Sequence, residues 1–207
     1  METEAKTITV AELQPGYLLF NHGTKFVARQ IQWFQKLKFP KQYILFNQIF
    51  KMYYWLLNHV GIIDKDFIGD IIAREQDNPG KFHPNRLTEE YLKEKADVWI
   101  GIPKISNEAL EQGMRGLRVD AEILEGEDKL LNYSYKSFFG FMGNAVWYRL
   151  FERELWISGK PKGTTCSQIT AKLYQKHFGF FMTDSWWTWF PAEIAMDENI
   201  ELRKLIY

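Results

Sequence analysis

Apolar positions recur with a helical period along residues 163–179. Ile169, Leu173 and His177 follow Cys166 at spacings of three, four and four, which places Cys166 on the inward stripe of a helix. Thr165 suits the N-cap, and Gln168 three residues later completes a capping box. Gly179 suits the left-handed position that ends a helix. The pattern therefore predicts a helix whose first residue is Cys166.

The rest of the chain alternates between the two periods. Residues 17–20 read as a strand after the turn signal Leu13-Gln14-Pro15-Gly16, and 25–38 as an amphipathic helix stopped by Pro40. Residues 42–56 fit a helix or strands, the first part leaning to helix. Residues 58–63 are β-rich, Asp64-Lys65-Asp66 makes a turn, and 67–75 return as a second strand. Residues 76–86 read as a loop, since Asn78-Pro79-Gly80 and His83-Pro84-Asn85 are turn formers. A short helix at 88–95, a strand at 97–102 closed by Pro103, a helix at 106–116 and a weak strand at 119–125 follow. Residues 137–156 are apolar at helical spacing, and Gly140 and Gly143 suit a break into two helices. After the cysteine helix come an aromatic run, 186–190, and a polar, irregular tail. The order predicts an α+β protein with helices packed on a small, mostly antiparallel sheet.

Composition narrows the class. The chain has 207 residues, enough for one substantial domain, and no linker or repeat divides it. The formal net charge of zero argues against a nucleic-acid partner held through phosphates. One cysteine excludes an intrachain disulfide and a cysteine-based zinc site. The first six residues lack the plan of a signal peptide, and the apolar run at 43–57 is broken by Asn47, Gln48 and Lys51. The expectation is a soluble, cytoplasmic protein with no transmembrane segment.

That single cysteine opens a helix, where the dipole and unpaired N–H groups favour a thiolate by about 0.3–1 kcal/mol, and up to ~2 when partly buried. A reactive thiolate also needs a histidine. His177 lies about 16 Å down the same helix, too far to serve. His22 and His83 sit in turns. His59 opens a strand and shares a face with Gly61 and Ile63, and Gly61 leaves space beside the imidazole for a helix end or a substrate. With the hairpin centred near Lys65, Ile71, Ala73 and Glu75 lie on that face too. Glu75 is the carboxylate expected to orient the ring, with Asp70 and Asp77 as alternatives, because hairpin register slips easily.

These residues, in this order, resemble a known family. Leu13-Gln14-Pro15-Gly16-Tyr17-Leu18-Leu19, then Asn58-His59-Val60-Gly61-Ile62, an acidic residue about fifteen on, a strand ending at Pro103, a tyrosine-bearing segment at 133–135, Thr165-Cys166-Ser167-Gln168 and Pro191 with an acidic tail are similar to the circularly permuted papain-like hydrolases of the NlpC superfamily, including the YiiX-like and LRAT-like branches. The likeness runs through nearly the whole chain. It departs at Tyr17, where the family usually has Asp, and at Gln168, where it usually has Glu. Residues 41–57 read as an aromatic-rich insertion. The resemblance implies one permuted papain-like domain over residues 1–207, with a nucleophile helix against a sheet that carries the histidine. It implies attack on an amide, thioester or ester carbonyl, in cell-wall peptides or lipids.

The mechanism expected is nucleophilic attack by Cys166, with His59 moving the proton, Glu75 fixing the tautomer and the Cys166 N–H helping to hold an oxyanion. It calls for no metal or organic cofactor. The partner is an acyl substrate: a small molecule, peptide or lipid. Two rivals stand beside the amidase or peptidase reading. One is a lipid esterase or acyltransferase whose aromatic clusters (Tyr53-Tyr54-Trp55, Phe138-Phe139-Gly140-Phe141, Trp186-Trp187-Thr188-Trp189) line a groove rather than a core. The other is a catalytically silent binding protein.

Overall fold

The computed structural model describes residues 6–22, 26–38, 57–76, 82–94, 96–126, 135–153, 165–181 and 189–207. In chain order the elements are β1 (Thr7–Thr9), a 3-10 turn (Val10–Glu12), β2 (Leu18–His22), α1 (Phe26–Lys38), β3 (His59–Lys65), β4 (Ile71–Gln76), β5 (Phe82–Arg86), α2 (Glu89–Glu94), β6 (Ala96–Pro103), α3 (Asn107–Gly126), α4 (Tyr135–Phe151), α5 (Cys166–Phe178), α6 (Pro191–Ala195) and β7 (Ile200–Ile206). The class is α+β. Among the described residues the strands form one mixed sheet of seven in the order β1-β7-β6-β2-β3-β4-β5, in which only the β1–β7 pairing is parallel. Among the described residues no helix is long and apolar enough to cross a membrane.

Strand alternation sorts the core into two layers. Leu18, Phe20, Val60 and Ile62 meet Ile169, Leu173 and Tyr174 of α5 and Met114, Leu117 and Ala121 of α3. Leu19, Ile63, Ala73, Val98 and Ile100 meet Leu92 of α2, Ile8 and Leu13. Burying each Ile or Leu is worth about 1.5–3 kcal/mol, so the sheet is clamped from both sides. α1 packs on α4 through Phe34 and Ala145, with Phe190 in the same cluster. Gln35, fully buried, donates to the Leu57 carbonyl at 3.0 Å and accepts the Ala192 N–H at 3.0 Å. It ties the approach to β3 onto α1 and α6.

Several expected elements differ. The weak strand at 119–125 is the second half of α3. Leu110, Gly113, Met114, Leu117 and Ala121 make one helical stripe, and Gly113 and Gly116 serve its packing. A Cβ at Gly116 would stand 2.7 Å from the His177 Nδ1, so the glycines let α3 lie close against α5. The loop at 76–86 ends in a strand, β5, which tolerates Pro84 because it is the last strand of the sheet. The polar tail is α6 and β7. Ile200, Leu202 and Leu205 are buried while Glu201 and Arg203 pair with each other. Within the region at 137–156 the two helices expected are one, α4, which runs through both glycines to Phe151; residues 154–156 lie outside the described residues. The possible insertion at 41–57 falls outside the described residues except for Leu57, as do Tyr133 and the tryptophans at 186 and 187.

The hairpin turn is also longer than expected. Lys65 still pairs with Ile71, so residues 67–70 belong to the turn and β4 begins at Ile71. Asp66 Oδ1 accepts the N–H groups of Ile68 and Asp70 at 3.0 and 2.9 Å, and Gly69 takes the left-handed conformation at φ 91°. Asp64, with no exposed surface, keeps β3 running straight up to that turn. It accepts Arg74 Nε at 2.9 Å and Arg118 Nη2 at 2.7 Å, which binds the hairpin to α3.

Candidate active site

Cys166 is the first residue of α5 and is buried with 4% of its surface exposed. Thr165 ahead of it is extended, at φ −105° and ψ 169°, and its N–H donates to Gln168 Oε1 at 2.9 Å. Gly179 closes the helix at φ 71°. The glutamine thus keeps the capping role that a glutamate would play. Both ends of the helix are fixed, and its first two turns are buried on nearly every side. Tyr174 donates to the Gly16 carbonyl in the turn before β2. Gly16 itself is left-handed at φ 91° and donates to the Ile63 carbonyl at 2.8 Å. The Leu-Gln-Pro-Gly turn therefore holds α5 and β3 to one frame.

His59 opens β3, and its Nε2 lies 2.8 Å from Glu75 Oε2. One pairing step beyond Ile62↔Arg74 sets Gly61 opposite Glu75, so the glutamate reaches the ring diagonally across the ladder. The space that Gly61 leaves is filled by Glu75, not by a helix end or a substrate. A Cβ on Gly61 would stand 3.1 Å from the Glu75 Cβ. Glu75 is 1% exposed, and its second oxygen, Oε1, accepts Asn85 Nδ2 at 2.6 Å and the Tyr91 hydroxyl at 2.7 Å. Asn85 Nδ2 also lies 3.0 Å from His83 Nε2. The carboxylate is therefore saturated with donors and aimed by β5 and α2.

Burial alone would push the His59 pKa down. The negative charges of Cys166 and Glu75, and hydrogen bonds to both, override it and hold the ring well above its ordinary 6.5. With Nε2 given to Glu75, Nδ1 is the ring nitrogen left for the sulfur. The structure thus brings Cys166, His59 and Glu75 to one place.

The other candidates lie elsewhere. Asp70 is in the hairpin turn, with Arg86 Nη1 at 3.7 Å from its carboxylate. Asp77 is outside the described residues. His177 is on the flank of α5, where Nε2 meets Asp120 Oδ2 at 2.8 Å. His22 ends β2 opposite Ala96. Asn85 and Tyr91 were not singled out from sequence. The run His83-Pro84-Asn85 hides a strand because proline and asparagine are turn formers, and Tyr91 reads as a helix residue of no special kind.

Gly61→Ala tests the packing of the pair. The new methyl must displace Glu75 by a few tenths of an ångström, which lengthens the contact to His59. The expected result is a several-fold slower alkylation of Cys166 by iodoacetamide at pH 6, with cooperative unfolding retained. An unchanged rate would show that Glu75 has slack.

A comparison of the chain with models of known protein families finds no match. A comparison with curated protein sequences finds none either.

Proposed function

We propose that this protein is a cysteine hydrolase of the amidase or peptidase type, built on a permuted papain-like plan of the NlpC kind. The observation that carries the reading is the His59–Glu75 pair at 2.8 Å, its carboxylate buried, held charged beside a cysteine that starts a helix. In the resting state the thiolate of Cys166 faces the imidazolium. Sγ attacks the acyl carbon, and the carbonyl π pair moves to oxygen. Collapse restores the carbonyl and breaks the bond to the leaving group, which takes the His59 proton. Water then attacks the thioester and gives one proton to His59, and collapse releases the acid and leaves the Cys166 thiolate beside the imidazolium. Glu75 keeps Nε2 protonated and Nδ1 directed at sulfur throughout.

A mass measurement after brief incubation with an activated acyl donor tests the reading. A p-nitrophenyl ester should leave one acyl group on Cys166, and Cys166→Ala should leave none. Release rates from a peptide p-nitroanilide and from a phospholipid ester then separate the amidase reading from a lipid esterase. A chain that carries no adduct at Cys166 is a binding protein.

A further inference from the structure

We propose that the side-chain amide of Asn21 is an oxyanion donor of this site, an assignment that rests on the hydrolase reading and names a catalytic residue it lacked. Asn21 pairs directly with His59 across the β2–β3 ladder. Directly paired residues project to the same face with Cβ atoms about 4.5–5.5 Å apart. The imidazole is thus flanked by Glu75 on one side and Asn21 on the other.

Two features of Asn21 point to a ligand. Its residue surface is 2% exposed, yet Nδ2 has no hydrogen-bond partner among the described residues. Buried amide donors are almost always satisfied, so a bare one beside a reactive pair is a standing invitation to an acceptor. The backbone there is already engaged, since the Asn21 carbonyl accepts the Asn58 N–H at 3.2 Å. The amide is what remains. In addition, the β2–β6 register shifts between Phe20 and His22, a bulge at this residue. Bulges re-aim side chains and recur beside active sites.

The chemistry fits a neutral donor. As the Sγ–carbon bond forms, the π pair becomes a lone pair on oxygen, and the charge leaves the sulfur for that atom. An amide N–H stabilises the new oxyanion without titrating and without giving a proton to the thiolate. The Cys166 N–H, at a helix start and so without an intrahelical acceptor, is the second donor. When the intermediate collapses, the lone pair returns to the carbonyl, the leaving group takes the His59 proton, and Nδ2 is free again.

Two reagents separate this role from a structural one. Iodoacetamide alkylates sulfur by displacing iodide and builds no oxyanion. A p-nitrophenyl ester must pass through one. Asn21→Leu and Asn21→Ala should slow acylation by about 100-fold or more, since loss of one oxyanion donor costs about 10²–10³ in rate. Alkylation by iodoacetamide should stay within about twofold, because His59 and Glu75 are untouched. Thermal melting should hold or rise for Asn21→Leu, which removes an unmatched polar group from the interior. Acylation at the wild-type rate in the variants would overturn the assignment while leaving the hydrolase reading intact. Equal losses in both reactions would overturn it too, by placing Asn21 in support of His59. A wild type that is alkylated but never acylated would remove the hydrolase reading, and the assignment with it.

Discussion

At pH 6, His59→Ala should slow alkylation of Cys166 by about two orders of magnitude, from the fall to an ordinary thiol that ionises near pH ~8.5. In the native protein the ring is held well above 6.5 by the charges of Cys166 and Glu75 against the opposing effect of burial. The imidazolium is therefore present at pH 6, and its charge lies beside the sulfur. Because the folded value is raised, the stabilisation from this pairing is fully present below the unfolded value of about 6.5 and is lost as pH rises through the folded one. The native alkylation profile should accordingly show high reactivity already on the acid side of neutrality. That of His59→Ala should climb only towards pH ~8.5. His177→Ala is the control. Its ring pairs with Asp120 on α3, so it should cost stability and leave the profile in place. Identical profiles for the native protein and His59→Ala would end the idea of an activated pair.

Some of this arrangement was legible in the chain. The helix that starts at Cys166 is written in its caps, Thr165 and Gln168 at one end and Gly179 at the other, and these are local signals that packing had no reason to override. The placing of Glu75 beside His59 outlasted a register error. The hairpin was centred near Lys65, whereas Lys65 pairs with Ile71. The pairing moved by six residues, an even number, so every side chain kept its face and Glu75 stayed with His59.

The rest depended on contacts that no window of sequence contains. Val119 and Ile123 look like strand residues, but they are the exposed side of a helix whose other side sets Gly113 and Gly116 close against α5. Pro84 and Asn85 look like a loop because the edge position that tolerates the proline is a property of the sheet. Asn85 and Tyr91 converge on Glu75 from separate elements. The role of Gly61 was half legible. The space was foreseen, and its occupant was not.

Glu75→Gln should reduce turnover by about 10²–10⁴ with little change in fold, and the direction of the amide explains why. The native Oε1 accepts two donors, Asn85 Nδ2 at 2.6 Å and the Tyr91 hydroxyl at 2.7 Å. A glutamine satisfies both only by placing its oxygen there. Its NH₂ group then faces His59 Nε2, which must give up its proton and become an acceptor. A neutral ring in that state carries its proton on Nδ1, facing the sulfur, and has no lone pair there to take the thiol's proton. The equivalent acid-to-amide change in a serine triad keeps its geometry and costs about 10⁴ in rate through the same wrong tautomer. The substitution also removes one of the two charges that raise the His59 pKa, so the alkaline limb of the alkylation profile should move to lower pH. Asp70→Asn should do neither, since Asp70 sits in the hairpin turn with Arg86. Turnover of an acyl ester and the pH profile of alkylation, measured on the same preparations, decide the matter. A Glu75→Gln protein with native turnover and a native profile would reduce Glu75 to a buried structural acid.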